Sequence, residues 1–411
     1  MGGSVRLRFF FPFPFLIFPV VRILHEEPSI PFGPRTLDKH PRRNILGSAV
    51  SLRTKLSLSM NPTVPLVEID GSHGEGGGQI LRTGLTLSLL TGRPVRIFNI
   101  RSGRKASGLK PQHLMAARAA AEISGGRLQG DVLKGTELRF DPGSVRPGRY
   151  AFDVAALAAS AGSVGLIFQT LLLPLSFART SSHLLLQGGT HVAWSPSADY
   201  LREVFLPTVA PMGIRADLNV LRWGFYPIGG GAIEAAVEPA SFPLQPLRIE
   251  TRGALRRIDV ISAVANLPVS IGKRQLDRAL ARLIEAGYPA QGEVRTAASP
   301  GKGTFCFIRA EFEQVCAGFP ALGEIGKRAE AVADEAVDPF LRYQAGTGAL
   351  DPHLGDQVVL PMALAEDGSA VTVSEITEHL RTNLWVIEQF LPVKFSVEEA
   401  AGEKGGTIRT G

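Results

Sequence analysis

From Leu66 onward, short alternating or apolar runs give way to helical stripes at regular intervals, and this alternation predicts an α/β chain. "LVEID" (66–70) reads as a strand. Beyond the glycines at 76–78, Leu81, Leu85 and Leu89 recur at i, i+4 and i+8, which lines one face of a helix with apolar side chains. "PVRIFNI" (94–100) is a second strand, and Pro111 opens a second helix that Gly125 and Gly126 stop. "TELRFDPG" (136–143) closes the unit.

A second unit of like order comes next. "AFDVA" (151–155) is a strand, and "AGSVGLIFQTLLLPLSFA" (161–178) is apolar all round, which predicts a buried helix. "HLLLQGGT" (183–190) is the next strand, 197–213 the next helix, and "IRADLNVLR" with "GGGAIEAAVEP" the closing pair. Two units of the same order point to internal duplication.

The stretch 248–324 breaks the pattern. It reads strand, helix ("GKRQLDRALARLIEAG", 272–287), then two strands, as a small inserted α/β domain would. The alternation resumes with a helix at 325–345, a helix carrying "GDQVVLPMALA", a strand, the helix 377–391 and the strand "VKFSVE". This third unit gives a main domain over 60–247 and 325–411, built of three repeats and interrupted by a guest at 248–324.

The first sixty residues do not match the patterned remainder of the chain. "FFFPFPFLIFPVV" (9–21) is as apolar as a signal-peptide core, but its prolines break a helix and no small-residue cleavage site lies closely behind it. Residues 22–58 are irregular and basic, and Met60 stands just before the first patterned strand. Residues 1–59 are therefore expected to be a disordered extension or to precede the true start.

Composition adds bounds. A length of 411 residues with 45% hydrophobic content supports a large core and one or two domains. The net charge of +6 suits an anionic partner without requiring one. Cys306 and Cys316 are the only cysteines, too few for a disulfide framework, which favours a reducing, cytoplasmic setting. Nothing in the pattern calls for a membrane or an obligate protein partner.

"HGEGGGQILR" (73–82) is the first candidate for chemistry. A glycine turn leading into a helix exposes backbone N–H groups at the positive end of the helix dipole, a setting for phosphate. It is not a P-loop, because Gln79 and Ile80 replace lysine and hydroxyl; nor is it a dinucleotide fingerprint, because the third spaced glycine is missing. The glycines alone could serve only close packing. Arg82 in the first turn, Arg101, Arg104 and Lys105 after the next strand, and Gln112 with His113 at the next helix start change that balance. These groups share the edge where strands end and helices begin. Glu75 fits such a hollow if a divalent cation sits there beside phosphate oxygens.

His379, in "SEITEHLRTNLW", follows a predicted N-cap, Thr377, in the first turn of a helix with the stripe Leu380, Leu384, Ile387. That position favours a neutral, nucleophilic imidazole and a phosphate attached to it. An exposed first-turn histidine without chemistry is the plainer alternative.

In combination, "EGGGQILR" (75–82), "IRSGRKASGLKPQH" (100–113), "AGSVGLIFQT" (161–170), "GGTHVAWSP" (188–196), "GFYPIGGG" (224–231), "HLGDQVVLPMALA" (353–365) and "EHLRTN" (378–383) resemble the RNA 3′-terminal phosphate cyclases, over about 66–411. The resemblance implies three βαβαββ repeats with an inserted α/β domain. It implies ATP as co-substrate, Mg²⁺ or Mn²⁺ as metal, and a 3′-phosphorylated RNA as partner. His379 would be the nucleophile that takes AMP. Glu75 would contact the metal, and Arg82, Arg101, Arg104, Gln112 and His113 the phosphates and the RNA end. Gln169, Pro196, His353, Asp356 and Gln357 would line the nucleotide pocket, with His191 a less certain neighbour. The alternatives are a cyclase-like protein that binds or processes ribosomal RNA without adenylylation, a bare RNA-binding module, and an enolpyruvyl-transferase-like enzyme. The first lacks the nucleophilic histidine, and the others leave Glu75 or His379 idle.

Overall fold

The computed structural model describes residues 65–411 apart from Glu403. The expectation for residues 1–59 lies outside the described residues.

The first repeat comprises β1 (Val67–Asp70), α1 (Gln79–Thr91), β2 (Val95–Phe98), α2 (Pro111–Ser124), β3 (Arg127–Gln129) and β4 (Leu138–Asp141). Its helices stop where the sequence supplies glycines able to turn left-handed, Gly92 at φ +69° and Gly125 at φ +66°. The second contains β5 (Arg149–Asp153), α3 (Val164–Ser176), β6 (Ser182–Gly188), the helical stretch α4 (198–212), β7 (Ala216–Arg222) and β8 (Gly231–Val237).

The third repeat opens on a strand of two residues, β9 (Arg248–Ile249), and the inserted segment begins directly after it. That segment holds β10 (Leu255–Ala265), α5 (Val269–Glu285), β11 (Gln291–Thr296), β12 (Gly303–Phe312), β13 (Cys316–Leu322) and α6 (Ala329–Ala345). The third repeat then continues with α7 (Leu354–Leu364), β14 (Ala370–Val373), α8 (Glu378–Phe390), β15 (Phe395–Glu399) and β16 (Gly406–Thr410).

The sheets establish the repetition. Their orders are β1-β2-β4-β3, β5-β6-β8-β7 and β9-β14-β16-β15, so in each repeat the strands lie first, second, fourth, third. In each, the first two strands pair in parallel and the remaining pairings are antiparallel. The inserted sheet differs, with order β11-β10-β12-β13.

Pairing draws the edges of the guest elsewhere than at 248 and 324. β9 joins β14 in the third repeat's sheet, Arg248 opposite Ala370. Helix α6, expected in the third repeat, instead lies against α5 through Arg274–Glu330, Arg278–Asp334 and Arg282–Asp338. A two-residue strand has no period to read, and helical periodicity does not say which sheet a helix will cover.

The core helices come from all three repeats: α1 packs against α2, α3 and α8. Leu81, Leu85 and Leu89 are buried in that layer, and so are Leu380, Leu384 and Ile387 of α8. Burial of such side chains is worth about 1.5–3 kcal/mol each. The glycine turn before α1 is thereby held beside the start of α8, some three hundred residues later in the chain.

Candidate active site

The turn 73–78 needs its glycines for contact. Gly74 and Gly76 lie at φ +56° and +59°. A Cβ on Gly74 would stand 2.3 Å from Thr382 Oγ1 of α8, and one on Gly78 would stand 2.2 Å from His113 Nε2 of α2. The Glu75 N–H donates to Thr382 Oγ1 at 3.2 Å. Two helices from different repeats are thus pressed onto one bare stretch of backbone.

From this turn a chain of hydrogen bonds runs through the interior. Arg82 donates to Gln79 Oε1 (2.6 Å), Gln79 Nε2 donates to Thr83 Oγ1 (2.9 Å), and Thr83 Oγ1 donates to Asn383 Oδ1 (2.7 Å). Asn383 Nδ2 then donates to the Asp356 carbonyl oxygen (2.6 Å). Asp356 is in the first turn of α7, and its Oδ2 lies 2.5 Å from His379 Nδ1.

His379 itself is placed by the cap at Thr377, whose Oγ1 accepts from the Leu380 N–H at 3.1 Å; such a cap is worth about 1 kcal/mol. With Asp356 accepting from Nδ1–H, the neutral ring carries its lone pair on Nε2. The side chain is 35% exposed, so the ring is open to a substrate and not sealed in the core.

The surroundings are positive. Burial pushes the Arg82 guanidinium down to about 10, against the pull of Asp356 and Glu75, and it remains charged at neutral pH. Burial, then Arg82, Arg101 and Lys110, hold His113 well below the ordinary imidazole range, so that ring is neutral. Its Nδ1 accepts from the Lys110 N–H at 3.2 Å, which leaves the proton on Nε2. Lys110 is lowered as well, by burial and by Arg101 and Arg104. A cluster that sets cations against one another is arranged for an anion.

Beside Asp356, Gln169 Nε2 donates to Gln357 Oε1 (2.7 Å), and Gln357 Nε2 donates to the His353 carbonyl (2.6 Å). Glu75 is paired with Arg104. Gln112 Oε1 accepts from the Ser163 N–H at 3.1 Å, which ties the first repeat to the second. The Pro196 carbonyl lies close over Gly165, 3.1 Å from where a Cβ would be.

A family model described as RNA 3′-terminal phosphate cyclase matches residues 73–397. The chain belongs to this family. It is 45% identical over 328 residues to the RNA 3′-terminal phosphate cyclase of Methylococcus capsulatus, covering 79% of this chain and 91% of that one. It is 43% identical to that of Gloeothece citriformis over 330 residues, covering 79% and 93%, and 42% identical to that of Salmonella enteritidis over 346 residues, covering 84% and 98%.

In this cyclase-family chain, Glu75, Arg82, Arg104, His113, Asp356 and His379 are linked by hydrogen bonds, ion pairing and mutual electrostatic influence, and Gln169, His353 and Gln357 adjoin Asp356. Two residues stand differently from the rest. Arg101 is buried and spends one guanidinium nitrogen on the carbonyls of Ala106 (2.6 Å) and Gly108 (3.0 Å), binding its own loop. His191 is buried, stacked on Trp223 at 3.7 Å and bonded to Asp199 (2.7 Å) and Thr190 (2.8 Å), as a core histidine would be.

Gln79, Thr83 and Asn383 carry no distinct signal in the sequence, although all three stand within or directly beside its motif blocks. Gln79 stands three places before Arg82 and four before Thr83, a helical spacing that hints at contact. The Thr83–Asn383 bond spans 300 residues and leaves no local signal.

Proposed function

We propose that this chain is an ATP-dependent RNA 3′-terminal phosphate cyclase that works through a histidine–AMP intermediate. The observation that carries the reading is the half-exposed His379 ring, oriented at 2.5 Å by Asp356, the carboxylate that also acts on the buried cation Arg82.

His379 Nε2 attacks the α-phosphorus of ATP, the P–O bond to pyrophosphate breaks, and a phosphoramidate forms. An oxygen of the RNA 3′-phosphate then attacks that phosphorus, the P–N bond breaks, and the ring recovers its lone pair. The RNA end now carries AMP in a phosphoanhydride. Finally the neighbouring 2′-oxygen attacks the RNA phosphorus, AMP leaves with the bonding pair, and the hydroxyl proton is released.

Each stage has a physical reason. A phosphomonoester dianion has no good leaving group until AMP supplies one, and the vicinal hydroxyl then closes the ring intramolecularly. Covalent transfer divides the difficult step into two easier ones. Asp356 holds the ring in the tautomer that presents Nε2 and stabilises the positive charge that develops on it. Arg82, Arg104, Gln112 and the neutral Nε2–H of His113 are the donors for phosphate oxygens. Gln169, Pro196, His353 and Gln357 form the nucleotide pocket beside Asp356.

Among the described residues, no group of three or more His, Cys, Asp or Glu could hold an ion by protein alone. The donor set suits Mg²⁺ or Mn²⁺ held by Glu75 together with phosphate oxygens and water, where it would neutralise phosphate charge. No described helix is long and apolar enough to cross a membrane. The thiols Cys306 and Cys316 are free, which supports a reducing, cytoplasmic setting.

Incubation with α-labelled ATP and Mg²⁺ should leave acid-labile, alkali-stable label on the protein. Absence of label, or full labelling of His379→Ala, sinks the mechanism. The cyclase-like alternative, RNA binding without adenylylation, would likewise leave the protein unlabelled.

A further inference from the structure

Two aromatic side chains stand in solvent on loops 190–196 and 224–231, and the adenylylation and cyclisation steps use neither. Trp194 is 99% exposed and Tyr226 79% exposed. Trp194 also sits at φ +62°, a region bulky side chains rarely adopt. An exposed ring contributes little to a core, so the fold gives no reason for either.

The two loops that carry them are joined. Thr190 and His191 donate their N–H groups to the Gly224 carbonyl (3.0 and 3.1 Å), and the Gly224 N–H donates to Thr190 Oγ1 (2.9 Å). His191 and Phe225 pair in parallel, so the segments leading to Trp194 and Tyr226 leave this junction in the same direction.

The turn 224–231 is fixed at both ends. A Cβ on Gly229 would stand 2.8 Å from Ala161 Cα, two residues from Ser163, whose N–H is held by Gln112. On the other side, a Cβ on Gly230 would meet Pro300 at 3.0 Å, and one on Gly301 would meet Ile228 at 3.4 Å. The Trp223 N–H donates to the Ala298 carbonyl (2.9 Å), and Asn266 holds the carbonyls of Ser299 (2.8 Å) and Gly301 (2.9 Å). The turn therefore bridges from Gln112 to the tip of the inserted segment.

Its charge has one sign. Neither 218–233 nor 294–310 contains a carboxylate, while Arg222 and Lys302 are exposed there and unpaired with any carboxylate among the described residues. Rigid exposed rings beside cations fit an unpaired nucleic-acid strand, whose bases stack and whose phosphates need countercharge.

We infer that this rim is a track for the substrate RNA immediately upstream of its 3′ end, with bases stacking on Tyr226 and Trp194 and phosphates lying against Arg222 and Lys302. It rests on the assignment of Gln112 to the RNA end.

The test is the ratio of affinities for a 3′-phosphorylated oligonucleotide of about ten residues, within the usual site size for single strands, and a 3′-phosphorylated dinucleotide too short to reach the turn. Tyr226→Ala and Trp194→Ala should each lower that ratio about tenfold, the scale of one lost base stack. Tyr226→Phe and Trp194→Phe should retain it, since a ring remains. Arg222→Ala and Lys302→Ala should each reduce the slope of log affinity against log salt by about one. A ratio unchanged in both alanine variants, or lost equally in the phenylalanine variants, overturns the track. If the wild-type protein takes no label from ATP yet the ratio falls, the adenylylation mechanism fails and the track stands.

Discussion

His379 Nδ1 and Asp356 Oδ2 meet at 2.5 Å from the first turns of two different helices. With the carboxylate accepting from Nδ1–H, the lone pair lies on Nε2, the atom proposed to attack ATP. Asp356→Asn keeps the size of the side chain but can donate to Nδ1 and reverse the tautomer. Adenylylation in a single turnover with labelled ATP should slow about a hundredfold or more. A rate equal to wild type would remove Asp356 from the chemistry.

The interior chain from Arg82 to Asp356 predicts coupling between the first and third repeats. Thr83→Val and Asn383→Leu each leave a buried polar partner unsatisfied, at about 1–3 kcal/mol of stability in urea unfolding. The double variant should cost less than the sum, with a coupling of about 0.5–3 kcal/mol. Strict additivity would mean that the two side chains do not act together.

Gly78 and Gly92 separate a packing demand from a backbone one. A Cβ on Gly78 meets His113 at 2.2 Å, whereas at Gly92, φ +69°, nothing lies within 4 Å. Gly78→Ala should displace His113, cost about 1–3 kcal/mol and impair cyclisation. Gly92→Ala should cost about 1–2 kcal/mol of backbone strain with cyclisation intact. Cyclisation assays and thermal melts on the two variants distinguish the effects, and equal loss of activity would contradict the assignment.

Acid should destabilise the fold through buried imidazoles. His113 lies well below its ordinary value of 6.5, chiefly by burial, and His191 is lowered for the same first reason. Below 6.5 the unfolded chain takes up protons that the folded chain refuses, so stability falls as pH drops from there toward the folded values. The slope approaches about 1.4 kcal/mol per pH unit for each histidine. Urea midpoints measured from pH 7.5 to 5 should fall, and His113→Gln should flatten that decline. An unchanged slope in the variant would place the effect elsewhere.

Helices α1, α2 and α8 were legible because each carries its own instructions: a leucine stripe, a proline start with a glycine stop, a threonine cap. The glycine turn and His379 were legible as residue types in telling places. Less was legible at β9, where two residues carry no period, and at α6, whose partner α5 is fixed by ion pairs across more than fifty residues. Arg101 illustrates the limit within the site, since its bonds to the carbonyls of Ala106 and Gly108, which tie it to its own loop, leave no mark in the pattern of residue types.

By itself the sequence determined the alternation of strands and helices, the place of the bare turn and the motif blocks, because these depend on neighbours within a few positions along the chain. Only the tertiary structure decided that Asp356 faces His379, that Asn383 closes the path from Arg82, and that the loops carrying the exposed Trp194 and Tyr226 are joined at Gly224. Those relations join residues far apart in the chain, and nothing local encodes which distant partner a side chain will meet once three sheets and their helices have packed.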